Sequence, residues 1–258
     1  WKQVFKILGK GEKITLAIFF ILFLSSTIFL SRNFYLKNTE IKAVKGGNFI
    51  EGLLGHPRFI NPIYSETSDT DRDLVELIFS GLMKYNQEGE LQLDLAKSYE
   101  VKEEGKIYEF YLKDNLFWHD GEVLTADDII FTVEVIQNPE IKSPLWTRWV
   151  GVEIEKIDNL GVRFKLKNPY AGFLENATLK IIPKHIWENV SSQNFPLVTY
   201  NLQAVGSSPY KLTNFQRDES GYIKSVELIS NPHYYSKEPF IPPVSYTHLR
   251  AHETGRKL

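Results

Sequence analysis

The sequence predicts a mixed α/β domain, of α+β type, preceded by one membrane-spanning helix. Three observations carry this. Residues 106–138 read as strand, tight turn and capped helix in direct succession. Residues 152–166 and 210–229 each read as a β-hairpin, two alternating runs joined by a turn. Residues 14–31, ITLAIFFILFLSSTIFLS, form an 18-residue run without a charge.

The first block is the most explicit. Tyr108, Phe110 and Leu112 alternate with Glu109 and Tyr111, the period of a half-buried strand. His119-Asp120-Gly121 is turn chemistry, with glycine free to take a positive φ. Thr125 is placed to cap a helix, and Asp128 follows three residues on, as in a capping box. Asp127 and Asp128 also sit where the helix dipole favours anions. Ile129, Val133 and Ile136 recur at helical spacing, and Asn138-Pro139 ends the pattern. Elsewhere, 48–53 reads as a strand, 71–80 as a helix with Leu74, Leu77 and Ile78 inward, and 183–189 as a short helix. The hairpins pair 152–157 with 162–166 and 210–215 with 222–229. No internal repeat or low-complexity run interrupts them.

As a helix, residues 14–31 would span about 27 Å, close to the thickness of a bilayer core. Lys2, Lys6, Lys10 and Lys13 precede the run and Arg32 follows it, which predicts the amino end inside the cell. No small-x-small cleavage site marks its end, so a retained anchor is the preferred expectation and a cleaved signal the alternative. The expected order is a cytoplasmic basic segment 1–13, anchor 14–31, polar linker 32–47 ending in Gly46-Gly47, and folded domain 48–243. The first residue is Trp rather than Met, which suggests an incomplete amino end. Val244 opens the eleven-residue run VSYTHLRAHET, which resembles the translation of a common sequencing adapter. Residues 244–258 are therefore expected to be an artefact that packs against nothing, with the natural reading frame continuing differently.

Composition narrows the function classes. With 43% hydrophobic and 24% charged residues the chain is ordinarily globular, and a formal charge of −2 gives no footprint for nucleic acid. The absence of cysteine excludes disulfides, cysteine-ligated zinc, a cysteine nucleophile and an acylated lipoprotein anchor. Asp69, Asp71 and Asp73 begin like a calcium loop, but Leu74 and Ser80 stand where glycine and glutamate are required. His56, His119, His185 and His233 form no metal-ligand spacing, and no nucleophile elbow or P-loop occurs. No catalytic residue, metal or cofactor is expected.

Function comes from resemblance. Lys113, Phe117-Trp118, Asp120-Gly121 and Thr125-Ala126-Asp127-Asp128-Ile129 stand in the order of the signature region of the extracellular solute-binding proteins of family 5. Leu95-Ala96-Lys97-Ser98-Tyr99 resembles that family's L-A-x-S-W/Y, and Asn231-Pro232-His233-Tyr234-Tyr235 its N-P-x-Y-Y/W. Gly206-Ser207-Ser208-Pro209-Tyr210 resembles its G-T-G-P-Y, with serine replacing the second glycine. The resemblance implies the first lobe of a class II periplasmic-binding-protein-like fold, with the second lobe beyond residue 258. It implies binding of oligopeptides without covalent chemistry, delivery to ABC permease subunits, and a monomer. A nickel chelate, haem or oligosaccharide ligand, a membrane-anchored hydrolase, and a signalling receptor are the alternatives. Three segments match regions that face the family's cleft: 59–62, 143–149 and 206–209. The ligand-binding expectations are Asn61, Pro62, Trp146, Trp149, Gly206 and Ser207, with core packing an equal alternative for the two tryptophans.

Overall fold

The computed structural model describes residues 9–40, 44–241 and 243–249. The chain divides into two units, Trp1–Val44 and Lys45–Leu258. In the first, helix α1 (Lys10–Asn38) is exposed along its whole length, charged at both ends and without a charge from Ile14 to Ser31. Such a helix has no polar face to turn toward water. Neither glycine nor proline occurs after Gly11, and the helix continues through residues 32–38, expected as tether. Glu12 closes the amino end by accepting from the Gly9 N–H at 2.8 Å. Lys2 and Lys6 lie outside the described residues.

The second unit contains strands β1 (Phe49–Leu54), β2 (Met83–Tyr85), β3 (Leu91–Leu93), β4 (Ala96–Lys102), β5 (Ile107–Leu112), β6 (Val152–Asp158), β7 (Gly161–Leu166), β8 (Tyr210–Arg217), β9 (Ile223–Ser230) and β10 (Pro243–Leu249). Its helices are α2 (Asp69–Ile78), α3 (Ala126–Gln137), α4 (Trp146–Trp149), α5 (Phe173–Asn176) and α6 (Lys184–Trp187). One four-stranded sheet runs β1-β10-β9-β8 and another β4-β5-β7-β6, while β2 and β3 form a separate hairpin. The second sheet is antiparallel throughout, and both predicted hairpins form, as β6–β7 and β8–β9.

The local chemistry works as read. The Thr125 N–H donates to Asp128 at 2.8 Å, and the Asp127 N–H donates to the Thr125 hydroxyl at 3.3 Å. Asp128 does more than cap: its other oxygen accepts from the Lys184 N–H at 2.9 Å, which ties α6 to the start of α3. Helix α2 begins two residues before the expected Asp71 because Ser68 supplies its cap. Beneath α3 the inward faces of β5 and β7 bury Phe110 and Phe164 with Trp118, Ile129 and Val133. Glu109, expected on the wet face of its strand, is only 3% exposed. Lys102 at 2.6 Å and Arg163 at 2.8 Å cover it from the neighbouring strands. Those hydrogen bonds, that of Lys102 foremost, hold its carboxyl down to about 2.

Residues 243–249 depart from the sequence expectation. They form β10 between β1 and β9, parallel to the first and antiparallel to the second. Val244 and Tyr246 are buried, while Ser245 and Thr247 are only partly covered. The alternation V-S-Y-T suits a half-buried strand, and unpaired strand edges accept any extended segment of that pattern.

Candidate functional site

Two of the three cleft-matching segments meet in the second unit, around a cavity of about 100 Å³. One wall is the loop after β1. Here Asn61 accepts from the Ile63 N–H at 2.9 Å and donates to the Asn201 side chain at 2.9 Å. Its carbonyl receives the N–H groups of Tyr64 and Ser65 at 3.1 and 3.0 Å. Asp71 fixes the same loop from α2, accepting from the N–H groups of Arg58 and Phe59 at 2.8 and 3.1 Å. Burial raises the Asp71 carboxyl above its ordinary range, against the pull of those two donors. Asn61 is thus a buried brace, and Pro62, Ser65 and Glu66 carry the loop onto the cavity.

The opposite wall is α4. Ser143 donates to the Ile63 carbonyl at 2.8 Å and Tyr64 to the Ile141 carbonyl at 3.0 Å, so the two walls are stitched together. The tryptophans of α4 part company. Trp149 is 2% exposed and lies 5.8 Å from the Phe164 ring and 6.0 Å from that of Phe173. It packs in the core and gives the cavity an apolar floor with Leu145. Trp146 is 38% exposed and offers its ring to solvent. The rest of the lining comes from α2 (Arg72, Val75, Glu76) and from α5 and the segment after it, through Lys180. Glu66 and Arg148 face one another at 4.0 Å, and Glu76 pairs with Lys180 at 2.7 Å.

The third segment lies apart from this cavity. A Cβ at Gly206 would sit 1.8 Å from the Ile78 carbonyl oxygen, so only glycine fits. Ser208 donates its N–H to that carbonyl at 3.1 Å and its hydroxyl to the Phe79 carbonyl at 3.2 Å. Neither Ser207 nor Ser208 has a positive φ, which is why serine can replace the second glycine of the motif. The Gly206 N–H donates to Nδ1 of His119 at 3.1 Å, so Nε2 carries the proton and donates to the Ser208 carbonyl at 3.1 Å. Burial, above all, pushes the His119 imidazole down to about 4. Asn231 donates to the same carbonyl at 3.1 Å, and Tyr235 reaches Ser80 at 2.9 Å and Asp94 at 2.6 Å. Through His119, Ser208, Asn231 and Tyr235 the W-H-D-G, G-S-S-P-Y and N-P-x-Y-Y motifs meet in one polar knot, largely buried, which joins the end of α2 to β8. Gly206 belongs to that knot, Ser207 is buried beside it with its hydroxyl unpartnered among the described residues, and neither lines the cavity.

Sequence reasoning passed over Glu66, Glu76 and Lys180. Glu66 lies four residues past the 59–62 segment. Lys180 lies in T-L-K-I-I, where nothing local says that a lysine will be buried.

The architecture is that of a binding lobe, and solved binding proteins share it. The oligopeptide-binding protein AppA from Bacillus subtilis, in complex with a nonapeptide, matches with a TM-score of 0.74 and 29% identity. That match covers 81% of this chain and 41% of AppA. NikZ from Campylobacter jejuni, in complex with Ni(L-His), matches with a TM-score of 0.70 and 28% identity, over 78% of this chain and 39% of NikZ. The fold is therefore that of the periplasmic binding proteins, of which this chain holds a part. In sequence, AppA of B. subtilis is 31% identical over 220 residues, 84% of this chain and 39% of that protein. The family model for bacterial extracellular solute-binding proteins, family 5, middle, matches residues 90–256, and the chain belongs to that family. It spans about two-fifths of the length of these relatives.

Proposed function

We propose that this chain is the first lobe of an extracytoplasmic receptor that binds oligopeptides and hands them to ABC permease subunits. The observation that carries the reading is the cavity between residues 62–66 and α4, with its apolar floor and charged rim. A receptor for extended peptides needs such pockets along one wall, shaped by packing and edged by polar groups. Similarity to a protein named for oligopeptide binding, and solved with a nonapeptide, supports peptide as the solute. Pro62, Glu66 and Arg148 are the proposed contacts on the cavity lining, and Trp146, exposed on α4 just outside that lining, is proposed to meet ligand that extends beyond it. Hinge closure against a second lobe would bury the ligand. The protein acts by binding and carries out no covalent step.

A nickel chelate is the second reading, favoured by the match to NikZ with Ni(L-His). Helix α1 is proposed as a retained single-pass anchor, supported by its length, its apolar surface and the lysines before it. A carboxy-terminal tag that stays with membranes after carbonate extraction is the expected result; release of a shortened soluble product would make α1 a cleaved signal. For the ligand, titration with a mixed tripeptide pool and with Ni(L-His), followed by ligand-observed NMR, separates the readings. Peptide resonances should broaden and the chelate should leave the chain unchanged; the reverse would assign the chelate.

A further inference from the structure

All three carboxylates on the cavity between residues 62–66 and α4, Glu66, Glu76 and Glu175, are exposed. One of its cations is not. The Lys180 side chain is 9% exposed, and its ion partner Glu76 is 61% exposed. An exposed partner is weakly held, because water competes for it and the long side chain regains rotamer freedom on leaving. The buried ammonium cannot leave with it, and a cation in a partly enclosed site attracts an anion more strongly than it would in water. Arg148, on the same cavity, is 4.0 Å from Glu66, longer than a charge-assisted hydrogen bond, so its fork keeps donor capacity. The group that is fixed sets the sign of the site, and here it is positive.

We propose that this cavity binds a carboxylate of the ligand, held by Lys180 and Arg148, with Glu76 as an internal stand-in that the ligand displaces. The inference rests on the peptide-receptor reading and gives the pocket its chemical class. The carboxylate can be a free carboxy terminus or an acidic side chain, and the probes separate the two. The detergent-solubilised chain is titrated with trialanine against trialanine amide, and with Ala-Glu-Ala amide against Ala-Gln-Ala amide, by ligand-observed NMR. In one pair the acid should bind about tenfold tighter than its neutral counterpart, the usual worth of one charge-assisted contact. Lys180→Met should erase that preference and Lys180→Arg keep it. Glu76→Gln should tighten acid binding, since it removes the competitor, and this variant leaves the buried lysine in place. A merely structural ion pair would instead lose stability in Glu76→Gln with no gain in affinity. Equal binding of acid and neutral forms in both pairs overturns the carboxylate site while leaving the peptide reading intact. Absence of binding by all four peptides overturns both.

Discussion

Truncation after Pro243 should unfold part of the first sheet. Among the described residues β10 is the one strand to which β1 is paired, and it also covers the edge of β9. Val244 and Tyr246 are both buried, at 6% exposure each. Burying two such side chains contributes about 1.5–3 kcal/mol each, so about 3–6 kcal/mol is at stake, an upper estimate because the unfolded chain buries some of the same surface. For a unit of this size each kcal/mol moves the melting temperature by about 2–4 °C. Deleting residues 244–258 should therefore lower it by roughly 10 °C. Thermal unfolding of the detergent-solubilised chain, followed by near-ultraviolet circular dichroism, reads this directly. Tyr246→Ser in the full chain should reproduce much of the loss, which assigns it to the strand rather than to residues further on. An unchanged melting temperature in both would show that the segment is a passive tail, as its adapter-like sequence suggests, and would refute its place in the sheet.

Other consequences follow from single residues. Gly206→Ala forces a methyl group into the Ile78 carbonyl and should cost about 3 kcal/mol or more, read from the urea midpoint. His119 is held neutral, with its imidazole pushed from 6.5 down to about 4. Below the unfolded value the unfolded chain binds more protons, so stability is full above pH 6.5 and falls as pH drops toward 4; His119→Gln should flatten that slope in urea titrations across the window. Trp149→Ala should cost about 3–5 kcal/mol as a core deletion, whereas Trp146→Ala should leave stability within about 0.5 kcal/mol and weaken peptide binding. Equal loss of stability in the two variants would place both rings in the core.

Elements whose instructions are local were readable from the chain. The β5–turn–α3 block was specified by alternation, a D-G turn and a capping box; the turn and the box form as read, and Tyr108, Phe110 and Leu112 are buried as the alternation requires. The β6–β7 and β8–β9 hairpins were equally plain. The site was less so, because its residues meet through long-range packing. Trp146 and Trp149 are identical in sequence terms and three residues apart, yet α4 turns one into the core and the other outward. Asn61 and Gly206 sit in motifs that resemble the family's cleft regions, and both turn out to brace the backbone. Lys180 became part of the site only when the segment after α5 was laid against Gly81, a contact no local pattern encodes. Glu109 shows the same limit: strand alternation placed it outside, and the cross-strand cations that cover it come from β4 and β7.

This lobe is proposed to bind peptide and to leave it intact. A mixed tripeptide pool incubated with the detergent-solubilised chain tests it most directly, with ligand-observed NMR reading binding and mass spectrometry reading the peptides afterwards. Weak binding is expected from a chain that spans about two-fifths of its relatives' length, together with an unchanged peptide pool. Hydrolysis products, or a pool whose resonances never respond to the chain, would contradict it.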